Sequence, residues 1–139
     1  MPCRKAVKNL YKDGVIMTGI FVNENGGIHY AQAIVSGYKD IETRKKNMLK
    51  NLVGKRVAVI RTHRGKNPMV IGYVDIVESS FCKAEDFDKY FNRHCVPNNC
   101  GYYCNGTGKW FYYLANAEKC EAYPLPADAI RHGRSWCEF

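Results

Sequence analysis

Before anything else, a chain with this sequence has to settle where Lys39, Glu42 and Arg44 go. These three charges of both signs lie in Gly37-Tyr38-Lys39-Asp40-Ile41-Glu42-Thr43-Arg44, between an apolar run ending Ala33-Ile34-Val35 and the strand-like Lys55-Arg56-Val57-Ala58-Val59-Ile60-Arg61. Flanks of that kind form core, and charges rarely stay inside a fold without partners. The fold must pair the three with one another or open them to a ligand. In both cases this segment is the first candidate for a site.

The local pattern sets their geometry. Ile28, Ala31, Ile34 and Val35 recur at helical spacing, and Gly37 is placed to close that helix in the left-handed conformation. Ile41 and Thr43 then favour a strand over Lys39 to Arg44. With a period of two, Glu42 and Arg44 share one face while Ile41 and Thr43 point the other way. Lys39 falls on the Ile41 face by strict counting, so it meets Glu42 only where the strand starts irregularly.

At 139 residues the chain is long enough for one domain with its own core. Residues 1–14, with Arg4, Lys5, Lys8 and Lys12, read as a basic lead-in, and 15–139 as the domain. No leader-like apolar stretch follows Met1, and the seven cysteines are an odd number, so reduced thiols and a cytoplasmic setting are expected. No apolar run approaches the ~20 residues of a membrane span, so no membrane partner is expected. The formal net charge of +8 and a sequence pI near 9.2 favour a polyanionic partner, of which nucleic acid is the commonest.

Along the rest of the chain, Val15–Val22 reads as a strand, broken by Asn23-Glu24-Asn25-Gly26-Gly27. Lys55–Arg61 has apolar residues on both faces and is expected to be central. It should pair with Met69–Val77, in which Gly72 marks a bulge, around a cationic tip at His63-Arg64-Gly65-Lys66. Phe87, Tyr90 and Phe91 predict a helix over Ala84–His94, and Cys95–Gly108 a loop. Lys109–Leu114 and Cys120–Tyr123 read as two more strands, with a tail around Trp136 returning to the sheet. The sum is an α+β domain, a small β-barrel of about five or six strands with two or three short helices.

The pattern Gly-x-Lys-x-x-Glu-x-Arg at Gly37, Lys39, Glu42 and Arg44 resembles the signature of the ASCH domain family, within the PUA-like superfamily. The context is similar too: a short helix before the motif, Leu52-Val53-Gly54-Lys55-Arg56-Val57 leading into a strand, Ile71-Gly72-Tyr73-Val74-Asp75-Ile76, and a late aromatic strand with Pro124 and Pro126 after it. The resemblance implies a PUA-like pseudo-barrel with a cationic cleft beside the motif, taking RNA or a modified nucleoside or nucleobase, and no cofactor. A few small ASCH proteins act as ribonucleases or as amidohydrolases on acylated cytidine. In that amidohydrolase branch the motif Lys is kept and a nucleophilic Thr stands where this chain has Glu42, so the sequence departs from it there.

The candidate ligand-binding residues are His29, Tyr30, Lys39, Glu42, Arg44, Arg61, His63, Arg64, Lys66 and Trp110. Arg44 can hold a phosphate or carboxylate with two prongs, Glu42 can accept from a base edge, and Tyr30 and Trp110 can stack on a base. His29 can stack or move a proton. If the protein is an enzyme, Lys39 and Glu42 are its catalytic candidates, as oxyanion and acid-base groups in a ribonuclease or nucleoside hydrolase. His94, Cys95, Cys100 and Cys104 invite a zinc reading, but no paired Cys-x-x-Cys knuckle exists. No metal site is therefore assigned.

Overall fold

The computed structural model describes residues 16–24 and 27–139. The basic lead-in expected over 1–14 lies outside them. Strand β1 (Thr18–Asn23) is followed by helix α1 (Tyr30–Val35), strand β2 (Ile41–Arg44), a 3-10 turn at Lys50–Leu52, β3 (Arg56–Thr62) and β4 (Met69–Lys83). A 3-10 helix over Ala84–Tyr90 runs into the single α-turn α2 (Phe91–His94), and β5 (Gly108–Pro124), β6 (Ile130–His132) and β7 (Trp136–Glu138) complete the chain. One seven-stranded sheet results, in the order β2-β5-β4-β3-β1-β7-β6.

The alternation of β3 explains how one sheet carries two cores. Val57 and Val59 face a cluster with α1 (Tyr30, Ala31, Ile34, Val35), Ile41 and Phe111. Ala58 and Ile60 face another with Phe21, Val70, Tyr73, Tyr123 and Phe139. A strand buried on both faces is central, as the sequence predicts. The long, bent β4 and β5 serve both cores. Register shifts at Val70/Gly72, Tyr73/Asp75 and Ile76/Glu78 turn their pairing around the helix, and the first is the expected bulge at Gly72.

Three expectations need correction. The sheet is not a closed barrel. Among the described residues, β2 pairs only with β5, and β7 covers only Thr18–Ile20 of β1. Between these two edges the ladder stops, and a side chain spans the gap: Arg44 Nη2 donates to the Phe21 carbonyl at 2.7 Å. Second, Lys109–Leu114 and Cys120–Tyr123 belong to one strand, which continues past Asn116 at φ 54°. Third, Ala84–Tyr90 is 3-10 rather than α. Its core contacts, Ala84, Phe87 and the Tyr90 ring against Phe111, recur every three residues, which is the period of that helix.

Gly72 has a steric reason. A Cβ there would lie 2.2 Å from the Glu118 carbonyl oxygen and 2.6 Å from Val35 Cγ1. The first neighbour is backbone of the paired strand and cannot rotate away. Gly72→Ala is expected to cost about 1–3 kcal/mol, the range of overpacking in a filled core, measured as a lowered urea midpoint with unchanged slope.

Candidate functional site

The site forms where the sheet fails to close. A cleft of about 730 Å³ opens between the end of β1, where its ladder with β7 stops at Ile20, and the outer edge of β2. Its walls are Phe21, Val22 and Asn23 from β1, Tyr30 from α1, Lys39 to Lys45 in part, the loop ahead of β5, and the β6–β7 turn.

At its floor the three charges that open the sequence come together. Gly37, at φ 81°, ends α1 as expected. The chain then runs irregularly to β2, so strand alternation does not govern Lys39, whose backbone N–H still bonds the Ala33 carbonyl of the helix. Its side chain is 1% exposed. Nζ donates to the carbonyls of Ile41 (2.7 Å) and His94 (2.5 Å) and lies 3.5 Å from Glu42 Oε1. Three acceptors for three protons leave the ammonium fully engaged.

Glu42, on the face it shares with Arg44, receives Arg44 Nη2 at 2.8 Å and Nε at 3.2 Å on Oε2. Burial alone would raise its pKa, but Arg44 and Lys39 together outweigh that and hold the carboxyl below its ordinary value. Burial lowers the pKa of Lys39, and Glu42 only partly offsets it. Arg44 thus favours the carboxylate of Glu42 while lowering the pKa of Lys39 further. Thr43, expected on the opposite face, also borders the cleft.

Sequence reasoning missed several of the lining residues. Lys109, the first charge of the aromatic strand, is 7% exposed and lies in the cleft wall, where Nζ donates to the Tyr102 carbonyl at 2.7 Å. Burial lowers its pKa, and Lys39 and Arg44 lower it further against the pull of Glu42. Among the described residues, Lys109 has one hydrogen-bond acceptor, the Tyr102 carbonyl, for its three protons. Arg131, over the Phe21 ring at 5.0 Å, and Arg134 approach from the β6–β7 turn. Among the described residues, six cationic side chains (Lys39, Arg44, Lys45, Lys109, Arg131, Arg134) thus line the cleft against one carboxylate, Glu42. Tyr102 stands edge-on to Tyr30, with centroids 5.9 Å apart. The Tyr30 hydroxyl is 3.1 Å from Cys100 Sγ. Burial, then Cys100, raises its pKa, so it remains a neutral phenol.

The other candidates divide. Tyr30, Lys39, Glu42 and Arg44 are in the cleft. His29, Arg61, His63 and Lys66 line a separate groove with Glu24. Arg64 is exposed in the turn before Gly65 and lies in neither. Trp110 sits opposite Arg44 across the β2–β5 ladder with its ring edge against Phe81, also outside both.

His94, which invites a zinc reading in the sequence, is fully buried. Nδ1 accepts from the Val96 N–H and Nε2 contacts the Phe87 carbonyl, both at 2.9 Å, and the ring stacks on Phe87 at 4.1 Å. Neither nitrogen is left for a metal. Among the described residues no three His, Cys, Asp or Glu side chains converge as ligands, and no helix is long and apolar enough to cross a membrane.

The open α+β sheet has the fold of solved ASCH domain structures. The chain is similar to ASCH from Zymomonas mobilis, at 22% identity and a TM-score of 0.60, over 77% of this chain and 73% of that one. Two mutant proteins of the same ASCH superpose as well, with 74% and 76% of their chains covered. No protein-family model and no curated protein matches the sequence.

Proposed function

We propose that the cleft binds single-stranded RNA, holding phosphates on Lys109, Arg131 and Arg134 and a base against Tyr30 and Tyr102. The observation that carries this reading is the six-to-one excess of cations over carboxylate within one open cleft. Glu42 cannot neutralise that excess, because its charge is already spent on Arg44 and Lys39. Aromatic rings beside a cationic track are the usual means of holding a strand without reading its sequence strictly. A hydrolytic role for Lys39 would need a free ammonium proton to meet an oxyanion. With all three engaged, its geometry favours a positioning role for Arg44 and the β2 edge, and hence binding over bond cleavage.

Titration of a fluorescein-labelled oligouridylate by anisotropy tests this. Binding should weaken linearly in log–log form with salt, and Arg131→Ala/Arg134→Ala should make the slope shallower by about 1.4, two phosphate contacts at ~0.7 each. Affinity should fall about tenfold or more. Binding that ignores salt, or a variant that binds like the parent, would refute it.

A further inference from the structure

Resting on that reading, we infer that the groove formed by Glu24, His29, Arg61, His63 and Lys66 is a second phosphate subsite on the same track, taking the strand as it leaves the cleft. Three pairs of consecutive residues carry the inference. Asn23, Tyr30 and Thr62 line the cleft, while Glu24, His29 and Arg61 line the groove. Side chains of consecutive strand residues point to opposite faces, so at the ends of β1 and β3 the two recesses lie back to back across a single layer of backbone.

That layer is braced. The Glu24 N–H donates to the Thr62 carbonyl at 3.0 Å, Thr62 Oγ1 donates to Asn23 Oδ1 at 3.2 Å, and Asn23 Nδ2 donates to the Tyr102 hydroxyl at 2.8 Å. The recesses therefore hold a fixed spacing, and the second encloses about 500 Å³. A strand backbone passing over the end of this single layer meets cations on both sides.

The groove's own chemistry suits a phosphate. Glu24 lies at its centre, 2.9 Å from His29 Nδ1, 3.5 Å from Arg61 Nε and 3.9 Å from His63 Nδ1. Arg61 comes closest to the carboxylate at Nε, and among the described residues its terminal guanidinium N–H groups make no hydrogen bond, so they can grip an oxyanion. Lys66 brings a second positive charge from the β3–β4 loop. Glu24 holds the donors in place in the absence of a guest and competes with one for them.

Length dependence separates this proposal from the reading beneath it. Labelled oligouridylates of ~3 and ~10 nucleotides, lengths that bracket the lower end of common single-strand footprints, are titrated against the parent, Arg61→Ala/Lys66→Ala, Glu24→Gln and Arg131→Ala/Arg134→Ala. The longer strand should bind the parent about tenfold more tightly than the shorter. Arg61→Ala/Lys66→Ala should erase that gain, leave the short strand unaffected and flatten the long strand's salt slope by ~1.4. Glu24→Gln should tighten only the long strand, by roughly threefold. Equal weakening of both strands by Arg61→Ala/Lys66→Ala, or of neither, overturns the subsite while leaving the cleft intact. If Arg131→Ala/Arg134→Ala spares the short strand, the cleft reading itself fails and no shared track remains.

Discussion

Glu42→Ala is expected to destabilise the fold by about 3–5 kcal/mol, the loss seen when one member of a buried ion pair is removed, measured by urea denaturation. The reason lies in what the carboxylate leaves behind. Lys39 is 1% exposed and keeps two carbonyl acceptors, but loses the carboxylate 3.5 Å from its Nζ. Arg44 keeps the Phe21 carbonyl and loses both contacts that fix its plane. Because Arg44 is the side chain that spans the open seam between β1 and β2, the cleft loosens along with the core. Pairing the variant with Lys39→Met isolates the charge term. The double variant should cost less than the sum of the singles, by roughly 0.5–3 kcal/mol as for residues in direct contact. A loss below ~1 kcal/mol for Glu42→Ala would mean that solvent already reaches the carboxylate and that the seam is held by other contacts.

This arrangement explains why the motif is legible in the sequence and the cleft is not. Gly37, Glu42 and Arg44 act through local rules, a left-handed helix stop and a two-residue strand period, and their geometry follows from spacing alone. Lys39 does not obey strand counting, because the strand begins two residues after it. Lys109, Tyr102, Arg131 and Arg134 reach the same cleft from more than 50 residues further along the chain. Nothing in their immediate neighbourhood marks them, apart from a charge opening an aromatic strand and two arginines flanking a Gly133 turn. They are brought in by the sheet order, which places β2 and β5 at one end and β7 and β6 at the other.

His29 and Tyr30 show the converse, neighbours in sequence parted by structure. At the start of a helix, successive side chains diverge by about 100°, so one turns into the cleft and the other into the groove. The basic tip divides similarly. Arg61 and His63 point to the groove, Thr62 between them borders the cleft, and Arg64 belongs to neither. A composition argument counts all these cations as one patch. The structure resolves them into two recesses on either side of a single layer of backbone, with Glu42 and Glu24 each anchoring one.

Stability should fall with acid in two stages, and the first belongs to His94. Burial, reinforced by the Lys39 cation and opposed by the Phe87 carbonyl, lowers its pKa below 6.5. The hydrogen bonds agree, since Nδ1 accepts from the Val96 N–H and so must carry no proton, which leaves Nε2–H to donate to Phe87. Below pH 6.5 the unfolded chain therefore binds a proton that the folded chain refuses. The stability His94 contributes is complete above that pH and is lost as pH falls toward its folded pKa, at up to ~1.4 kcal/mol per unit. The second stage is Glu42. Its pKa is held below 4.5 by Arg44 and Lys39 against the effect of burial, so the stability it contributes is complete above 4.5 and is lost as pH falls through its lowered value. His94→Gln, which can offer one acceptor and one donor but does not titrate, should abolish the first stage and keep the second. An unfolding free energy that stays flat from pH 6.5 to 5 in the parent would show that His94 is protonated in the folded state. The Val96 contact, and the backbone carbonyl that His94 presents to Lys39, would then need another arrangement.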